Sequence, residues 1–251
     1  MIILRSAVYN VFFFGATFVM TLAGTVVRLV APHRMLDIAI AWARLLLWGA
    51  RVICGIRWQV EGELPAGAAL IASHHESAFD TLVWLTLVPR PAYVMKQEML
   101  RIPLFGALTR PAGMIAVDRD GGAKAMRGLI RDAAHAVAER RQIVIFPEGT
   151  RAAPGTLLPL QPGVAALASS TGLPVIPVVT DSGRCWSRRA FRKRPGVIRI
   201  VLLPPIPAGT RRQELLPRLE AALRTGMSAQ GFSGDAGLPG ASAVPHGRPS
   251  E

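Results

Sequence analysis

The stretch Ala68-Ala69-Leu70-Ile71-Ala72-Ser73 runs directly into His74-His75-Glu76-Ser77-Ala78-Phe79-Asp80. Six small or apolar residues without a charge read as a buried strand, and the polar run after them as the loop into a helix over 77–88. A buried strand giving way to a helix is the repeating unit of an α/β domain. The unit recurs downstream, with strands expected over 92–95, 114–117, 142–146, 174–179 and 197–203. Helices are expected over 123–140, 163–170 and 213–224. In the helix over 123–140, Met126, Leu129, Ile130, Ala133, Ala134 and Val137 fall on one side, which gives it a face to bury.

Upstream of this domain the pattern differs. Between Arg5 and Arg28 no side chain is charged at neutral pH, and the stretch holds Phe12, Phe13, Phe14, Phe18, Val19 and Leu22. A helix of that length reaches across a bilayer core. A signal peptide is the alternative, but its apolar centre is normally about 7–15 residues and its start more basic than the single Arg5. A second segment, 35–56, places Asp37, Arg44 and Arg51 seven residues apart on one helical face, with Trp42, Leu45, Leu46, Leu47 and Trp48 over much of the rest. It reads as a helix in the headgroup region whose arginines reach toward phosphate, with an ordinary core-packing helix as the alternative. Three parts are therefore expected: membrane-associating helices over 1–57, an α/β domain over 58–226, and a tail over 227–251. The tail is rich in Gly, Ser, Ala and Pro and offers no core-forming face, so disorder is expected there.

Composition agrees with a lipid-facing protein. Of 251 residues, 51% are aliphatic or aromatic and 18% charged. Twenty-nine Lys and Arg against 16 Asp and Glu leave a net charge of +13, which favours an anionic partner without saying which kind. The two cysteines, Cys54 and Cys185, lie far apart and suit neither a disulfide framework nor a zinc site; they fit a reducing compartment.

Two strand ends carry residues suited to chemistry. If His75 sits in the loop and Asp80 on the first helical turn, the carboxylate can accept from Nδ1–H and leave Nε2 free. That pairing suits a base that takes a proton from an alcohol. Asp80 as a mere helix-start residue is the competing reading, and His74 competes with His75. The second strand end reads Phe146-Pro147-Glu148-Gly149-Thr150-Arg151. Gly149 permits an unusual backbone angle, Thr150 offers a hydroxyl, and Arg151 offers a planar fork of donors suited to phosphate. Glu148 could hold that arginine or bind a substrate hydroxyl. Lys96 and Arg119 each follow an apolar strand and could add charge to the same cleft or remain surface cations.

Taken together and in order, His75-x4-Asp80, the Lys96 to Arg119 block, Phe146 to Arg151 and the strand at Pro174-Val175-Ile176-Pro177 resemble the glycerolipid acyltransferases. The similarity is closest to the 1-acylglycerol-3-phosphate acyltransferases and covers roughly 62–203. The resemblance implies a mixed sheet flanked by helices. It also implies His75 as base, Asp80 as its orienter, and Glu148, Gly149, Thr150 and Arg151 as the acceptor-binding motif. Lys96 and Arg119 match positions of a further motif where a phosphate role is implied. The implied reaction moves a fatty acyl group from acyl-CoA or acyl carrier protein to lysophosphatidic acid, giving phosphatidic acid. It needs no metal and no other cofactor, and it would run at the cytoplasmic membrane with the site facing the cytoplasm. Many members carry Asn where this chain has His74, which leaves another lysolipid, such as a lyso-ornithine lipid, as an alternative acceptor.

A stretch from Arg184 to Arg199 holds seven cations and no acid, interleaved with Trp186 and Phe191. Beside an apolar amino terminus, anionic headgroups or an acidic carrier are the expected targets rather than nucleic acid. Two other classes remain open: a non-catalytic lipid-binding protein, and a hydrolase using Ser77, although no Gly-x-Ser-x-Gly elbow surrounds that serine.

Overall fold

A computed structural model describes residues 1–102, 105–118 and 122–232 of the chain. Seven strands form one mixed sheet: β1 (Ile56–Glu61), β2 (Ala69–Ser73), β3 (Pro91–Lys96), β4 (Ile115–Val117), β5 (Gln142–Ile145), β6 (Val175–Thr180) and β7 (Gly196–Leu202). Their spatial order is β1, β7, β6, β2, β5, β3, β4. Every neighbouring pair is parallel except β6 and β7.

The central strands alternate between two cores. Ile71, Val144, Ile176 and Val178 point to one face, while Leu70, Ala72, Ile143, Ile145, Val175 and Val179 point to the other. A strand buried on both faces must be apolar at every position, which is why 68–73 carries no charge. The first face is covered by α1 (Ile2–Val30), α2 (Met35–Cys54) and α3 (Ala78–Leu87), and the second by α5 (Gly122–Ala138), α6 (Gly163–Thr171) and α8 (Arg212–Ala229). The short helices α4 (Phe105–Thr109) and α7 (Ser182–Cys185) complete the chain.

Three sequence expectations shift. Residues 56–61 form β1, where the sequence reading ends a helix at 56 and assigns no strand: Ile56, Trp58 and Val60 alternate with Arg57, Gln59 and Glu61, a period-two signal hidden by the preceding apolar run. The last helix continues to Ala229, and Phe232 is buried against the core, so order extends beyond the expected start of the tail; residues 233–251 lie outside the described residues. The third shift concerns α2, which is a core-packing helix on one side. Ala43, Leu46, Leu47, Ala50 and Cys54 are buried, while Asp37, Arg44 and Arg51 lie on the exposed face. Burying Leu46 and Leu47 is worth roughly 3–6 kcal/mol, against about 1 kcal/mol for one arginine at an anionic surface. The apolar face therefore decides where the helix docks.

Helix α1 spans 29 residues, about 43 Å, and pairs with α2. The Tyr9 hydroxyl donates to Leu46 O at 3.1 Å and Trp42 Nε1 donates to Thr17 Oγ1 at 3.0 Å. A Cβ at Gly49 would collide with the Phe12 ring, so the glycine sets how closely the helices approach. The other side of α1 stays uncovered: Leu4, Val8, Val11, Phe14, Phe18, Leu22, Val26 and Leu29 are exposed. Among the described residues, α1 is the one helix long and apolar enough to cross a membrane.

Candidate active site

Strands β2 and β5 pair in parallel with Ala72 opposite Ile145, so both end at the same edge of the sheet. That register puts the loop after Ser73 beside the loop after Ile145. Such strand ends are where α/β domains bind ligands. Strand β3 pairs with β5 on its other side and delivers Lys96 at the same edge.

The first loop is built around Asp80. Ser77 caps α3, its Oγ accepting from Phe79 N at 3.0 Å. One turn in, Asp80 Oδ2 accepts from Glu76 N and Ser77 N, both at 2.8 Å, and lies 3.0 Å from His75 Nδ1. Helix capping and histidine orientation are thus one arrangement, with a single carboxylate oxygen serving both. The His75 ring stacks on Phe146 with centroids 3.9 Å apart and planes 18° apart. Carboxylate and ring together leave it little freedom. Ser77 is fully buried and occupied as a cap, which removes it from reach of a substrate.

Behind His75 lies a buried polar group that the sequence did not announce. His74 is fully buried, with Nδ1 3.4 Å from Thr180 O and Nε2 3.1 Å from Thr156 O. Glu76 Oε1 and Oε2 accept from Gly155 N and Gly183 N at 2.7 and 2.8 Å. Glu148 Oε1 accepts from His75 N at 3.0 Å and Oε2 from Leu158 N at 3.2 Å. Burial outweighs these amide bonds and pushes the carboxyls up, to about 8 for Glu76 and about 7 for Glu148. His74 therefore ties two loops together and does not compete with His75 for substrate. Glu148 departs from its expected place: 3% exposed, with both oxygens on backbone amides, it braces His75 from behind and does not line the cavity.

In front of His75 opens a cavity of about 510 Å³. Its polar lining includes His75, Lys96, Gly149, Thr150, Arg151, Arg188 and Arg189; its apolar lining includes Phe13, Met20, Met35, Ile38, Ala39 and Leu108. Gly149, at φ 71°, turns the chain back so that its N–H donates to Phe146 O at 2.9 Å. Ala152 N donates to His75 O at 2.7 Å, which fixes Arg151 beside the histidine. Burial lowers the pKa of the Arg151 guanidinium, an effect opposed by Asp80 and reinforced by Arg188. Its Nε is buried without a hydrogen-bond partner among the described residues. Arg188 Nη1 donates to Arg151 O at 3.0 Å, linking the two basic segments. Arg119 lies outside the described residues. The sequence missed Arg188 and Arg189 as individual site residues; their only signal was the uninterrupted run of cations. Among the described residues no three His, Cys, Asp or Glu side chains gather as a metal site requires.

A family profile described as Acyltransferase matches residues 56–181, from β1 to the residue after β6. The chain belongs to this acyltransferase family. It is 34% identical over 172 residues to the 1-acyl-sn-glycerol-3-phosphate acyltransferase of Pseudomonas aeruginosa, a match covering 66% of each chain. The protein of the same name from Limnanthes alba is 33% identical over 64% of this chain and 57% of its own. The chain thus spans 66% and 57% of these relatives' lengths. The fold is shared with the 1-acyl-sn-glycerophosphate (LPA) acyltransferase PlsC of Thermotoga maritima, at a TM-score of 0.71 and 20% identity over 92% of this chain and 98% of that one. Within this acyltransferase, His75, Lys96, Gly149, Thr150 and Arg151 of the cavity lining fall inside the matched span, whereas Arg188 and Arg189 lie beyond it.

Proposed function

We propose that this acyltransferase moves a fatty acyl group from a thioester carrier, acyl-CoA or acyl carrier protein, to the free hydroxyl of lysophosphatidic acid, giving phosphatidic acid. One observation carries the reading: an imidazole oriented by a carboxylate and a set of arginines line the same cavity, whose remaining wall is apolar. An acceptor with a phosphate at one end and an alcohol a few atoms away fits that pairing. The names of the relatives point to the same acceptor.

With Nδ1 held by Asp80, Nε2 of His75 takes the proton from the acceptor hydroxyl as that oxygen attacks the thioester carbonyl carbon. The tetrahedral oxyanion collapses, the C–S bond breaks, and the protonated imidazole returns its proton to the departing thiolate. No covalent enzyme intermediate forms. General-base assistance contributes about 10²–10⁴ in rate, so orientation of the acceptor by Arg151 and its neighbours supplies much of the remainder. The apolar wall between α1, α2 and α3 holds an acyl chain, and about 510 Å³ lies within the range of roughly 300–1,000 Å³ typical of ligand cavities.

The exposed stripe of α1 lies in the membrane, next to the cavity that α1 helps to line. We place the protein on the cytoplasmic membrane with the site toward the cytoplasm, where two unpaired buried thiols persist. The test presents purified protein with a panel of lysolipids and both carriers, following thiol release and product mass. Thiol release that requires a phosphate-bearing lysolipid is expected. Release independent of any lysolipid, or equal transfer to a phosphate-free one, overturns the assignment.

A further inference from the structure

The segment between α7 and β7 is a loop whose cations the proposed reaction uses only in part. Arg188 and Arg189 line the cavity, whereas Arg192 and Arg194 do not; all four are exposed, with Phe191 exposed between them. Arg189, Arg192 and Arg194 form no ion pair among the described residues. Unpaired charge of one sign on an exposed loop is unfavourable for the free chain and favourable against an anionic surface.

The middle of the loop is fastened to the apolar helix. Lys193, 4% exposed, sends Nζ to Asn10 Oδ1 at 2.6 Å and its backbone N to Ser6 Oγ at 2.9 Å. Its ammonium also sits 5.6 Å from the Tyr9 ring centroid and 5.1 Å from that of Trp186. Among the described residues Lys193 meets no carboxylate, so it acts as a pin rather than as half of an ion pair. The pin sets Arg192 and Arg194 immediately beside the end of α1 where the uncovered stripe begins at Leu4 and Val8.

We propose that this loop is a docking surface for anionic phospholipid headgroups, with Phe191 entering the interface and Arg188 and Arg189 drawing the acceptor from the leaflet into the cavity. The proposal rests on the membrane placement given above. A membrane is favoured over an acidic carrier because the cations are fixed to the lipid-facing helix. Continuity of charge with apolar surface is what a headgroup boundary presents.

The full chain is reconstituted into vesicles of phosphatidylcholine alone or with phosphatidylglycerol, and backbone hydrogen exchange of residues 186–195 is followed. Exchange slows in the anionic vesicles, and high salt reverses the effect. In Arg192→Gln/Arg194→Gln, the ratio of exchange rates between neutral and anionic vesicles shrinks by about 25-fold, the product of roughly fivefold per cation lost. Turnover of a short-chain, water-soluble acceptor in detergent is unchanged by that double substitution. Equal exchange in both vesicles overturns the docking proposal, as does protection that appears in neutral vesicles only when an acidic acyl carrier protein is added. Loop protection in a protein without transferase activity would instead leave the docking surface standing and remove the proposed function, so the two failures are told apart.

Discussion

The corner around His75 and the helix pair α1 and α2 border one cavity and are built on opposite principles. At the corner, nearly every polar atom has a designated partner: Asp80 Oδ2 serves three donors, and Glu76 and Glu148 each serve two backbone amides. Such a network tolerates few substitutions, because a single loss leaves a buried donor unsatisfied. The helix pair has few hydrogen bonds across it, and its wall is defined by side-chain size: Ala39, Phe13, Met20, Ile38. Rigid polar geometry suits bond making and breaking, whereas a wall of van der Waals contacts suits a chain that must enter and leave. Changes at the corner should act on the rate, and changes in the wall on which chain is accepted.

Asp80→Asn breaks the comparison most sharply if the comparison is wrong. The amide oxygen can keep the cap, so stability should fall by no more than about 1 kcal/mol, while turnover falls about 10²–10⁴-fold as His75 loses its carboxylate. Parallel thermal melts and kcat measurements separate the two effects; equal turnover would reduce Asp80 to a cap.

Arg151→Ala should raise KM for the phosphorylated acceptor on the order of 10–100-fold, the worth of a charge-assisted hydrogen bond. KM for the acyl donor should stay where it was, and a matching rise there would relocate the phosphate grip. In the apolar wall, Ala39→Phe should shift preference toward shorter acyl chains with kcat for those chains preserved. Each excluded methylene is worth about 0.8 kcal/mol, or roughly fourfold in kcat/KM. Competition assays with donors of graded length read this out, and a uniform loss at all lengths would place Ala39 outside the chain's path.

The smallest effect concerns pH. Glu76 and Glu148 have folded-state values raised by burial to about 8 and about 7, above those of the unfolded chain. The folded protein therefore binds more protons than the unfolded one between the ordinary carboxylate range and these raised values, so stability declines as pH rises toward about 7 to 8 and levels off above. Tm should drop between about pH 6 and about pH 9, and Glu76→Gln should flatten that slope. A Tm that does not change over this range would mean that both carboxyls stay ionised throughout.

Much of this was legible in the sequence because the underlying constraints are local. The uncharged run 68–73 announces a strand with two buried faces, and His75 and Asp80 are close enough along the chain for the helix start to bring them together. The alternation in Ile56–Glu61 was equally local but was obscured by the apolar helix before it. What could not be read were contacts across long sequence separations. Glu148 faces the His75 backbone rather than the cavity because Leu158 and His75 offer amides there, and no spacing rule encodes that turn. Arg188 and Arg189 reach the cavity because Lys193 fastens their loop to Asn10, a partner 183 residues away. The two ring nitrogens of His74 face Thr156 O and Thr180 O, contacts visible only in three dimensions.

The central claim is that the imidazole of His75 is the base. His75→Ala, purified with its fold verified by circular dichroism and its membrane binding by flotation, should lose lysolipid-dependent thiol release from the acyl donor by about 10²-fold or more. A folded, membrane-bound variant with near-normal turnover would contradict the account.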